Sequence, residues 1–215
     1  MNHATGQDSG IISLLSDFAD LLIANILWLI TSIPLITLGA STAALYSVMR
    51  SPSDKCYGSS IVLNFFAAFG KNFKKATLAL LVLLIPGALV LVNAFVLIFG
   101  LLETSIVGYV ICGLSILLFF FLWTYAFPLI ATFDNTVFKS LANALILSVA
   151  HLPTTIVVTV LNLIPLLILV FFTNFFFRTI ILWVFVALAL IAKVNSLLLE
   201  RVFRRYIPAH PEPEA

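Results

Sequence analysis

The chain has 215 residues, 62% of them hydrophobic and only 9% charged, with a formal net charge of +2. Its mean hydropathy is +1.19, more apolar than a soluble fold of this length can hide from water. The few Lys and Arg form no broad basic face, which excludes a nucleic-acid-binding class. The lipid bilayer is the expected solvent.

Residues 1–20 carry Asp8, Asp17 and Asp20 but no Lys or Arg. A secretory leader has a positively charged start, so an uncleaved membrane anchor is expected instead. A spanning helix needs about 20 apolar residues. Five stretches qualify, at approximately 21–44, 76–99, 106–131, 142–173 and 178–199. These runs are too long for strands and lack alternation, and only helices or closed barrels satisfy the backbone in lipid. The fold expected is an all-α polytopic bundle in one integral membrane domain over residues 1–200. It has about five transmembrane helices and a cytoplasmic amphipathic helix.

The first span has no charge between Asp20 and Arg50. Pro34 removes a backbone donor inside it and predicts a kink. The rival is a re-entrant hairpin turning near Pro34 or Gly39, which needs its irregular backbone buried in protein. Gly39, Ala43 and Ser47 recur every four residues, as do Ala40 and Ala44. Such small residues let helix backbones approach closely in membranes. That edge reads as a packing surface rather than a ligand site.

After Arg50, the residues Ile61, Phe65, Phe69 and Phe73 recur at four-residue spacing beside Lys71, Lys74 and Lys75. This predicts an amphipathic helix over approximately 58–75, lying against an anionic leaflet. It is either a structural brace or a partner site whose contacts are Lys71, Lys74 and Lys75; periodicity does not separate the two. Lys and Arg concentrate in this loop, at Lys139 and at Arg201, Arg204 and Arg205. With five spans the positive-inside rule gives N-terminus outside and C-terminus cytoplasmic, leaving only Arg178 on the wrong side.

Polar residues inside the spans are the candidate site. Asn25, Asn93 and Asn162 are expected in the outer half of the membrane, close enough to meet across the bundle. His151 sits two turns inside the fourth span, where an ionisable group raises a functional question. Lys193 is expected to snorkel to the nearby surface. Asp134-Asn135-Thr136 reads as an N-cap for the helix that follows. Cys56 and Cys112 should lie at different depths as two free thiols, and no Cys/His spacing suits a metal. No nucleophile elbow, phosphate loop or zinc-protease motif occurs, so neither an enzyme nor a cofactor is expected. The Pro-rich tail, 207–215, is expected to be disordered.

Three pieces together resemble the YesL-like family of small bacterial integral membrane proteins. They are NILWLITSIPLITLGASTAALY (Asn25 to Tyr46), FFAAFGKNFKKAT (Phe65 to Thr77) and FPLIATFDNTVFKSLANALILSVAHLP (Phe127 to Pro153). The family's characteristic positions fall here on Asn25, Trp28, Pro34, Gly39, Thr42, Phe69, Phe73, Pro128, Asp134, His151 and Pro153. The short Pro-rich tail and Lys193 depart from its pattern. Members are small multi-pass proteins often encoded near carbohydrate uptake systems in Gram-positive bacteria. The resemblance therefore implies an accessory or regulatory partner of a sugar-uptake permease or its regulator in the cell membrane. A small solute transporter or channel, with the Asn and His151 side chains along its path, is the alternative.

Overall fold

A computed structural model describes residues 5–50, 61–99 and 106–206; the expected tail, Lys55 and Cys56 lie outside them. Among the described residues all regular structure is helical. Five helices are long and apolar enough to cross a membrane: Leu15–Ser32, Ile61–Leu97, Ile106–Thr132, Leu152–Phe171 and Ile180–Phe203. The protein is a membrane-spanning helical bundle.

The first expected span is not continuous. Helix α1 (Thr5–Ser32) stops before Pro34, a 3₁₀ turn covers Leu35–Thr37, and α2 (Leu38–Arg50) folds back along α1. Trp28 Nε1 donates to Thr42 Oγ1 at 3.2 Å, whereas a straight helix would separate those positions by about 21 Å. Pro34 is extended, with ψ at 106°, and its ring denies the ladder a donor. Two threonines then satisfy the turn. Thr31 Oγ1 donates to Leu27 O, and Thr37 Oγ1 donates to Thr31 O and Pro34 O. The tip of the hairpin exposes the apolar side chains of Ile33, Leu35 and Ile36. A hairpin turning at Pro34 is observed, and its turn is exposed rather than buried in protein.

The amphipathic stretch at 58–75 is likewise not a separate surface helix in its described part. It is the stem of α3 (Ile61–Ile98), one helix of 38 residues and about 57 Å. Phe65 is buried against the hairpin, among Ala44, Leu45 and Met49. The apolar period that suggested a membrane surface is the face the stem turns to α2 and α1. Helix α4 (Ile106–Thr132) returns beside α3.

The expected fourth span, 142–173, divides at His151 into α5 (Val137–Ala150) and α6 (Leu152–Phe171). Pro153, lacking an N–H, cannot continue the α5 ladder. Thr155 spans the break by donating to Ser148 O at 2.7 Å and His151 O at 3.0 Å. Helix α5 starts beside the Lys75–Asp134 ion pair and ends at His151, next to Tyr206. Both its ends therefore lie at one end of the bundle, and it underlies that end without crossing. Two short helices, α7 (Thr173–Arg178) and α8 (Ile180–Leu182), lead through a π-helical stretch, Trp183–Ala187, into α9 (Leu188–Phe203).

Helix α2 is the hub. It contributes buried residues to two of three core clusters, meeting Ala76, Ala79 and Phe127 on one side and Phe65, Ala189 and Ala192 on the other. Gly39 makes this possible, because a Cβ there would lie 2.4 Å from Ala76 O and 2.9 Å from the Phe127 ring. Packing is uneven along the bundle. Beyond Leu83 no described side chain of α3 is buried, and before Phe121 only Cys112 of α4 is. The bundle is tight at the end holding Arg50, Thr132 and Phe203 and open to lipid at the other.

Candidate functional site

A polar seam runs between the α1–α2 hairpin and the last helix. At its open end Asn25, fully buried, reaches across to the π-helical stretch. Its Nδ2 donates to Trp183 O at 3.1 Å and also to Val184 O, while its Oδ1 accepts from the Ala189 N–H at 2.7 Å. A π-turn shifts the helical bonding register and frees backbone groups, and such groups are costly when left unpaired in lipid. One carboxamide bonds three of them.

Further along the seam, Asn195 is also fully buried. Its Nδ2 donates to Tyr46 Oη at 3.2 Å and to Asn162 Oδ1 at 2.7 Å. Asn162 Nδ2 faces Thr124 Oγ1 at 3.5 Å, and Thr124 shares a 3.4 Å hydrogen bond with Thr159. This network joins α2, α4, α6 and α9. Among the described residues Asn195 Oδ1 has no hydrogen-bond partner. Nearby, Tyr125 Oη lies 3.0 Å from Thr155 Oγ1; the Thr155 proton goes to a carbonyl, so the tyrosine donates.

The seam ends at the C-terminus of α2. Lys193 Nζ donates to Met49 O at 2.9 Å, and Ser196 Oγ reaches the same oxygen at 3.3 Å. A cation on the last carbonyls of a helix complements its dipole. Lys193 thus caps a neighbouring helix rather than merely snorkelling. At the same end, Lys75 pairs with Asp134, which follows α4. The hydrogen bond from Lys75, its charge and the nearby Lys71 hold the Asp134 carboxyl below its usual value. The expected cap takes a different form, because Thr136 is the N-cap of α5 but makes no side-chain capping bond.

The proposed cluster of Asn25, Asn93, Asn162 and His151 is not assembled. Asn93 is exposed and bonds within its own helix, Nδ2 to Leu89 O at 2.9 Å. It lies about 100° round α3 from buried Ala76. Asn25 bonds the π-helical stretch, Asn162 bonds Asn195, and His151 Nε2 sits 3.3 Å from Tyr206 Oη. Of the candidate partner contacts, Lys71 and Lys74 are exposed and Lys75 is held by Asp134. Asn195, Tyr46 and Thr124 complete the seam; Tyr46 shares the seven-residue spacing of Asn25 on the first stretch, whereas Asn195 and Thr124 are not among the expected site residues. Asn195 carries the same signal as Asn162, an amide inside an apolar run. Among the described residues no three His, Cys, Asp or Glu side chains converge as metal ligands.

Several positions from the resemblance have clear structural roles: Trp28 and Thr42 close the hairpin, Pro34 breaks it, and Gly39 admits α3. The Phe69 and Phe73 rings meet in a tilted contact at 5.5 Å, and Pro128 is buried near Arg50.

Residues 21–94 match a family model described as "Protein of unknown function, DUF624". No curated protein and no solved structure matches the chain. The matched segment contains the apolar part of α1, all of α2 and most of α3. It is similar to an uncharacterised domain family in the part of the fold that carries the hairpin.

Proposed function

We propose that this protein is a non-catalytic accessory or regulatory membrane protein that docks beside a second integral membrane protein through its basic end. The observation that carries this reading is the division of labour among its polar groups. Within the bundle Asn25, Asn162 and Asn195 bond one helix to another. Outside it, Lys71 and Lys74 remain exposed on the α3 stem, beside exposed Leu63, Phe66 and Phe73. Apolar groups flanked by cations suit a protein contact. The resemblance to YesL-like proteins supplies the partner class, a carbohydrate-uptake permease or its regulator in a bacterial cell membrane.

The basic end belongs in the cytoplasm by the positive-inside rule. The folded-back hairpin returns the chain to the side from which α1 starts. Four crossings then follow, in α3, α4, α6 and Ile180–Phe203, so both termini are cytoplasmic. This reading differs from the N-outside expectation, which took the first span as continuous. An N-terminal tag should be cleaved by protease only in inverted or permeabilised vesicles; cleavage on intact cells would refute the orientation.

The docking test is co-purification from native membranes. A sugar-uptake permease or its regulator should come with the parent protein and be lost from the Lys71→Gln/Lys74→Gln variant at unchanged expression. Equal recovery by the two would overturn the assignment of the surface. One observation favours a second reading, a small solute transporter or channel: the unpartnered Asn195 Oδ1 offers a permeating solute a buried polar contact. Flux of a sugar or ion into liposomes, lost in Asn195→Leu, would replace the accessory reading.

A further inference from the structure

We propose that the cleft between α2, α4 and α9 at the basic end binds a phosphate group. Arg50, Thr132, Ser196 and Tyr46 line it, with Leu199 and Phe203 as apolar walls. The cleft measures about 190 Å³ including its open mouth.

Hydrogen-bonding capacity selects the ligand. Arg50 is partly buried, and among the described residues its guanidinium has no hydrogen bond or ion pair. The Thr132 hydroxyl is likewise without a partner among them. The Ser196 hydroxyl is already occupied by Met49 O and Lys193 O. None of the lining residues is acidic. The cleft therefore offers a full positive charge and a hydroxyl donor with no carboxylate to neutralise them. A guanidinium fork matches two phosphate oxygens, and a neighbouring hydroxyl can take a third.

The plainer role for Arg50 is to complement the C-terminal dipole of α2. That position is already served, because Lys193 places its ammonium on Met49 O. Arg50 is a second cation at a helix end that has one. Its level in the fold also fits. The cleft opens at the same end as the Lys75–Asp134 and Arg204–Glu200 pairs, where headgroups meet an end rich in basic residues. The phosphate could come from an inner-leaflet phospholipid or from a free phosphate or phosphorylated solute.

The test uses the full chain in dodecyl maltoside micelles, which carry no phosphate, alone, with added phosphatidylglycerol, and in a third arm with added inorganic phosphate. Thermal unfolding is the readout. A lipid source predicts a raised midpoint with phosphatidylglycerol; a free-phosphate source predicts a raised midpoint only in the third arm. In either case Arg50→Gln should need about tenfold more ligand for the same shift, as expected from losing a charge-assisted contact. Arg50→Lys should retain part of the response and Thr132→Val should weaken it, which keeps the test decisive if Arg50→Gln folds poorly. Lys71→Gln/Lys74→Gln should respond like the parent. No shift in any arm, an unchanged response in Arg50→Gln, or equal loss in the Lys71/Lys74 variant would overturn the site.

Discussion

The Asn25 side-chain oxygen accepts the backbone N–H of Ala189 at 2.7 Å across 164 residues of sequence. With the two bonds from its Nδ2, it makes the register change of the last span tolerable in lipid. Asn25→Ala leaves two carbonyls and one N–H to find new partners. We expect a loss of about 1–3 kcal/mol, seen as a lower midpoint in detergent. Asn25→Asp should fare no better, since a carboxylate cannot donate to Trp183 O or Val184 O.

Two glycine substitutions should go in opposite directions. Gly39→Ala forces its new methyl onto Ala76 O, and overpacking of this kind costs about 1–3 kcal/mol. Gly113→Ala meets nothing within 4 Å, and should raise stability by up to about 1 kcal/mol through helix propensity. Thermal unfolding of the pair in one detergent gives the comparison.

The hairpin makes a distance prediction. In a background lacking Cys56 and Cys112, Trp28→Cys/Thr42→Cys should be joined by a short bifunctional thiol reagent. A continuous helix would hold those positions about 21 Å apart and would give no intramolecular product. Mass spectrometry of the cleaved protein distinguishes the two.

Asp134 supplies a pH dependence. Its folded-state pKa lies below the unfolded value of 3.8 because Lys75 stabilises the carboxylate. Its contribution is therefore complete above that value and disappears as pH falls through the folded-state pKa. Asp134→Asn and Lys75→Gln should each remove this part of the acid dependence, read as midpoint against pH. The pair is exposed, so the effect should shrink with salt.

The lipid-embedded, all-helical nature of the chain was legible because it depends on composition and run length, which neighbours cannot change. The path of the chain was less so. Hydropathy treats the uncharged stretch from Asp20 to Arg50 as one span, and its reversal depends on Pro34 acting with the Thr31 and Thr37 hydroxyls. The Phe65–Phe69–Phe73 period is genuine, but a helix face does not say whether it meets lipid or Ala44 and Met49. Asn25 and Asn162 were recognised as important, yet their partners are backbone groups of a π-turn and Asn195. Asn93 failed on helical phase. Lys193 looked like a tolerated charge because a carbonyl left unpaired at the end of a distant helix leaves no mark in local sequence.

The distance in sequence between Asn25 and Ala189 also sets an order of events in the ribosome–membrane system. At synthesis rates of about 5–20 residues per second, the last helix emerges roughly ten to thirty seconds after the first. Throughout that interval Asn25 lacks the backbone groups it bonds in the finished protein. The first helix made is thus among the last to be locked, and assembly of the bundle closes only when the final helix enters the membrane.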